Sequence, residues 1–177
     1  MSRRPPPASR ETALAYSSDG VEEPTSYVKF YPEGSIDDLR FRFMRRLVVS
    51  ARRWRARVDQ RLKRIDQTQA RWETLLALSA RSEGLTQGEL ARLLSVEDPT
   101  IARMLTALEQ DGAVHRLVGE DRRQRIVRIT QEGEKALATM QVITDLVRKG
   151  LLQDLDDEEL VVGMRVLDKI LGRLEQP

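Results

Sequence analysis

From Ser35 onward the apolar residues step by threes and fours: Ile36, Leu39, Phe43, Leu47, Ala51, Trp54, Val58, Leu62 and Ile65. That is the period of one helix face. Asp37 and Asp38 fall in the first turn, where the positive end of the helix dipole favours acids. At 1.5 Å per residue the helix is about 45 Å long. A helix of that length outruns a small domain, so it must cross the whole fold or find a partner chain. The chain is therefore constrained to a thin-layered, mainly helical architecture. A content of 33% charged against 40% hydrophobic residues agrees with that and disfavours a β barrel.

Shorter elements follow. Gln67 to Ser82 reads as a second helix with Trp72, Leu75, Leu76 and Leu78 apolar, closed by Glu83-Gly84. Thr86 to Glu89 is a capping box, opening a short helix to about Leu94 with Leu90, Leu93 and Leu94 expected inward. Ser95-Val96-Glu97 is a tight turn. Asp98 as N-cap and Pro99 in the first turn restart a helix whose buried stripe is Ile101, Met104, Leu105 and Leu108, ending at Gly112. Ala113–Val118 and Arg125–Thr130 read as two strands of a hairpin with a charged tip. A helix from Gln131 to about Gly150 and a last helix follow, the latter capped by Asp156 and Glu159 and carrying Leu160, Met164, Leu167, Ile170, Leu171 and Leu174. Residues 1–34 form a flexible N-terminal extension, Pro- and Ser-rich to about residue 26. Its Tyr27, Phe30 and Tyr31 either pack onto the domain or stay loose.

Composition removes whole classes of chemistry. With no cysteine there is no disulfide, thiolate nucleophile, iron–sulfur cluster or thiol redox sensor. One histidine, His115, leaves no multi-histidine metal site and makes a Ser/His/Asp triad untenable; it reads as structural. No catalytic residue, metal site or cofactor is expected, and no glycine-rich phosphate loop is present. No stretch approaches about 18 apolar residues, and no apolar run follows the basic N-terminus, so a cytoplasmic protein without a membrane partner is expected. The net charge of +2 hides 25 arginines against 5 lysines. Their placement carries more information than their number.

A short helix, a tight turn, a helix with a polar exposed face and a basic hairpin make a winged helix-turn-helix. The second helix of such a pair can present side chains to base edges in a major groove. With the apolar stripe inward, Pro99, Thr100, Arg103, Thr106 and Ala107 face out. Arg103 can fork onto guanine or phosphate, and Thr100 can meet a base edge, a thymine methyl or a phosphate. Residues 113–130 hold five arginines (116, 122, 123, 125 and 128) against Glu120 and Asp121. Arginines at a hairpin tip beside a recognition helix suit a minor groove. Asp121 is expected to position Arg123 or Arg125.

The stretch Asp121-Arg122-Arg123-Gln124-Arg125-Ile126-Val127-Arg128-Ile129-Thr130, followed by Gly133, resembles the wing of the MarR family of transcription regulators. Leu90–Leu94 and Leu108–Gly112 fit the same pattern. Trp54–Lys63, Thr68–Trp72, Pro99 and Arg103 resemble its SlyA branch. The resemblance covers about residues 36–175. It implies a homodimer in which residues 35–66 and 131–177 form a helical dimerisation region. Residues 67–130 are then the winged helix-turn-helix, gripping a palindromic double-stranded operator. Long amphipathic helices at both ends, with faces a monomer cannot bury, agree independently. By the same resemblance Arg123 enters the minor groove, Asp121 holds the wing, and Thr100 and Arg103 work in the major groove, with Arg122 and Arg125 beside them.

The resemblance further implies release from DNA by a small anion, an aromatic acid or an acyl-CoA. Residues 40–64 hold ten arginines and one lysine against Asp59. They are either a solvated face or the rim of an anion pocket. Arg52, Trp54, Trp72 and Leu76 are the ligand-binding candidates, a cation near apolar and aromatic walls. The chain thus reads as a ligand-released repressor. An activator or anti-silencer on the same scaffold, and a winged-helix protein–protein module, are the alternatives.

Overall fold

The structure, a computed structural model, describes residues 30–32, 34–118 and 125–176. In chain order these form α1 (Ile36–Leu62), a 3-10 turn (Lys63–Ile65), α2 (Gln69–Ser79), β1 (Leu85–Thr86), α3 (Gln87–Leu93), α4 (Asp98–Gln110), β2 (Val114–Val118), β3 (Arg125–Ile129), α5 (Gln131–Leu152) and α6 (Asp157–Leu174). The fold is mainly helical with one small antiparallel sheet, ordered β1-β3-β2. The chain divides into two compact units, up to Arg53 and from Trp54, so α1 contributes to both.

In the first unit the Ser35 hydroxyl accepts the Asp38 amide at 3.1 Å, and Asp38 pairs with Arg42 at 2.9 Å. These bonds start α1 where the sequence placed it. The Tyr31 ring lies 5.5 Å from that of Phe41, so this aromatic packs on α1. Phe30 is exposed, and Tyr27 lies outside the described residues.

The second unit has one core. Val58 and Leu62 of α1 meet Trp72, Leu75 and Leu78 of α2, Leu90 of α3, the Ile101/Leu105/Leu108 stripe of α4, Val114 and Val127 of the sheet, and Met140 of α5. The Trp72 indole N–H donates to Gln141 at 3.0 Å, satisfying the one polar atom this large side chain brings inside. The α1–α2 turn is closed at two points. Asp66 takes the left-handed backbone (φ 53°), and the Asp59 carboxylate accepts the Gln69 amide at 2.7 Å. Glu73 accepts from Gln69; burial pushes its carboxyl up, against the pull of Arg55.

Three local expectations change. The strand β1 was not legible, because two residues cannot show a period. Leu85 and Thr86 pair with Val127 and Ile126. The approach is possible because Gly84 has φ +83° and no side chain: a Cβ there would lie 2.6 Å from the Val127 carbonyl. Leu93, expected inward, is 60% exposed. The buried residues of α3 are Leu90 and Ala91, and Leu93 lies about 200° around the helix from Ala91. Finally, Asp98 is not the cap of α4. Glu97 is, in extended backbone, because its carbonyl accepts the Thr100 and Ile101 amides and closes the first turn one residue earlier.

α6 buries none of its residues within the chain. Met164 is 60% exposed and Leu174 74%, and Leu167 and Leu171 are exposed with them. The helix is nevertheless well started. Asp156 accepts the Glu159 amide at 2.8 Å, and the Glu159 carboxylate accepts the Asp156 amide at 3.0 Å.

Candidate nucleic-acid interface

α3, the turn after it and α4 form the helix-turn-helix. Thr86 caps α3, with its hydroxyl accepting the Glu89 amide at 3.2 Å. Glu89 in turn accepts the Thr86 amide at 2.7 Å, and these bonds hold its carboxyl below the usual range. The turn reverses at Ser95, whose φ of 53° is left-handed, and the Val96 amide donates back to Ala91 at 2.9 Å. These contacts fix where α4 starts. The Ile101/Leu105/Leu108 stripe then fixes which way it faces.

The opposite face carries the candidate readers. Pro99, Thr100, Arg103 and Thr106 are exposed, and Ala107 is half-buried. Among the described residues Arg103 makes no ion pair or hydrogen bond, so its fork is open. Thr106 is partly committed: its hydroxyl donates to the Ala102 carbonyl at 3.0 Å and accepts from Arg116 at 3.5 Å.

The wing strands pair from Val114↔Ile129 to Val118↔Arg125. Arg125 is exposed where β3 starts. Asp121, Arg122 and Arg123 lie outside the described residues. Two of the five hairpin arginines have structural work instead. Arg116 pairs with Glu109, tying β2 to α4, and Arg128 donates to the Glu83 carbonyl at 2.9 Å, tying β3 to the turn before β1. Net charge in the sequence did not separate these anchors from free arginines, because the separation depends on which carboxylate or carbonyl lies across the fold. His115 sits in β2 opposite Arg128, half-buried.

Three of the four ligand candidates lie in the second unit and one in the first. Trp72 is core, 6% exposed, and Trp54 packs against the same core. Leu76 is 39% exposed on α2, and Arg52 is exposed on α1 in the other unit.

The MarR family model matches residues 68–124, the helix-turn-helix and the first wing strand. The solved transcriptional regulator PA3341 is 39% identical over 76% of this chain and 99% of its own, with a TM-score of 0.70. This chain belongs to the MarR family. MepR of S. aureus, solved as a DNA complex, is 27% identical over 75% of this chain and 97% of its own, TM-score 0.65. BldR of Sulfolobus solfataricus is 27% identical over 78% and 99%, TM-score 0.70. The protein is thus a MarR-family transcription regulator of the DNA-binding, winged-helix kind, and its relatives are regulators rather than enzymes. Among the described residues no helix is long and apolar enough to cross a membrane.

Proposed function

We propose that this MarR-family regulator is a homodimeric repressor of the SlyA branch that reads a palindromic operator and is released by a small anionic ligand. The observation that carries the reading is the open Arg103 fork beside Thr100, on the face of α4 directly away from its buried stripe. α4 enters the major groove there, with Pro99 and Thr106 flanking. Arg122, Arg123 and Arg125 serve the minor groove, with Asp121 positioning them. Residues 67–130 form the DNA-binding domain. Residues 35–66 and 131–177 supply the dimerisation helices, of which α6 has its apolar face uncovered. Two-fold symmetry then sets half-sites about one helical turn, roughly 10 bp, apart.

A gel shift on the intergenic DNA upstream of its own gene, with random competitor, tests the reading. Arg103→Ala is expected to cost about 1–3 kcal/mol on the specific site. A loss just as large on random DNA would place Arg103 on the backbone only. For Arg123→Ala, weaker operator binding by an intact dimer is expected, and unchanged binding would remove the wing from the interface. Affinity should fall with salt at a slope near −0.9 per phosphate contact. No shift at low salt would leave a protein–protein module.

A further inference from the structure

The last turn of α4 runs against the usual electrostatics of a helix. α1, α3, α5 and α6 each carry a base in the last turn: Arg61, Arg92, Lys149 and Arg173. The negative end of the helix dipole favours that. α4 has no base there and ends on Glu109 and, at the C-cap, Asp111. Local stability does not account for two acids at that end; their partners in the fold do.

Each acid meets an arginine from a different element. Asp111 pairs with Arg71 of α2 at 2.6 Å, and Glu109 pairs with Arg116 of β2. At about 100° per residue the two acids leave α4 about 200° apart. They flank the buried Ile101/Leu105/Leu108 stripe, each roughly a quarter-turn from it, while Arg103 stands opposite the stripe. Both arginines are themselves anchored. Trp72, next to Arg71, lies in the core and donates to Gln141 of α5 at 3.0 Å. Arg116 sits in the wing ladder opposite Val127, and its fork also reaches Thr106, one turn back along α4, at 3.5 Å.

The stripe fixes which face of α4 is buried but leaves its tilt to the packing of side chains. Planar guanidinium forks are directional, so two of them on opposite flanks fix that tilt. We infer that Arg71–Asp111 and Arg116–Glu109 form a clamp that sets the angle at which α4 meets DNA, which makes Glu109 and Asp111 positioning residues for sequence recognition. The inference rests on the reading of α4 as the recognition helix. The side chains of Asp111 and Glu109 are 55% and 40% exposed, and exposed ion pairs add little to stability. Orientation is therefore the clamp's main contribution. Without it the basic residues still meet phosphates, but Thr100 and Arg103 no longer reach base edges together.

Competition gel shifts test the clamp, using the tightest duplex that the full-length protein selects from a random pool, against random DNA of the same length. In Glu109→Gln/Asp111→Asn the preference for the selected duplex is expected to fall about fivefold or more. Affinity for random DNA should hold or rise, because two negative charges have been removed. The melting temperature should fall by no more than about 5 °C. Asp111→Glu keeps the charge and should keep the preference that Asp111→Asn loses. Equal loss on both duplexes, with a larger fall in melting temperature, would reduce the pairs to stability and overturn the clamp. Equal gain on both would reduce the acids to repelling phosphate and overturn it too. Arg103→Ala, run alongside, separates the two readings. If it binds the selected duplex unchanged while the double variant loses its preference, the clamp stands and the base contact passes to another residue of α4. No loss in either variant overturns both readings, as does a wild type that selects no duplex.

Discussion

Glutamates placed at Met164 and Leu171 are expected to separate the dimer and to weaken operator binding about a hundredfold or more. Leu160, Met164, Leu167, Leu171 and Leu174 recur by fours and threes along α6, and all but the half-buried Leu160 are exposed. Burial against a second copy is worth about 25 cal/mol for each Å² of apolar surface covered. Two carboxylates on that face would have to be desolvated without partners, which costs several kcal/mol each. The loss on DNA follows from tethering. Two winged domains on one palindrome bind as a linked pair, and linkage raises affinity by roughly 10²–10⁴ over a single domain. Sedimentation and gel shift together check this. The second unit should stay folded, because α6 adds no buried residue to its core. A variant that remains dimeric with unchanged affinity would remove α6 from the interface.

Gly133→Ala is expected to destabilise the protein by about 2–4 kcal/mol, the largest effect we expect from adding a single methyl group. Gly133 lies in the first turn of α5 and is buried. Its amide donates to the Thr130 hydroxyl at 3.0 Å, and that hydroxyl donates to the Gly112 carbonyl at 2.6 Å. An added Cβ would stand 2.1 Å from the Ala113 carbonyl and 2.7 Å from Ile129. The first neighbour is backbone at the base of the wing and cannot swing aside. Alanine's better helix propensity returns only about 1 kcal/mol. Thermal or urea unfolding measures the balance, and a neutral or stabilised variant would mean that α5 shifts freely relative to β2.

The same glycine shows what the sequence could and could not disclose. Gly133 was visible as part of the wing pattern, but its reason is a close approach to a carbonyl twenty residues earlier in the chain. Elements with a period were legible: the α4 stripe and α6 stand within a residue or two of their expected ends, while α1 closes at Leu62, three residues before Ile65, where a 3-10 turn takes over. The cap at Asp156 and the box at Thr86 were legible because both depend on residues three apart. The strand β1 and the outward turn of Leu93 were not, because one is too short for a period and the other depends on which side of a two-turn helix meets the core. For the DNA interface, the exposed row on α4 followed directly from the stripe opposite it. The anchoring of Arg116 and Arg128 did not, since both reach partners that only folding brings near.

α5 links the two ends of the proposed mechanism. Gly133 and Met140 lie in the core of the winged domain, while Val142, Leu146, Leu151 and Leu152 further along are exposed. The helix runs unbroken from one group to the other, so it behaves as a lever arm of about 33 Å. A tilt of about 10° at its far end displaces the near end by about 6 Å, close to two base-pair steps along a duplex. In the proposed homodimer, a modest rotation where the two chains meet would therefore be enough to take the pair of α4 helices out of step with successive major grooves, with no joint bending between them.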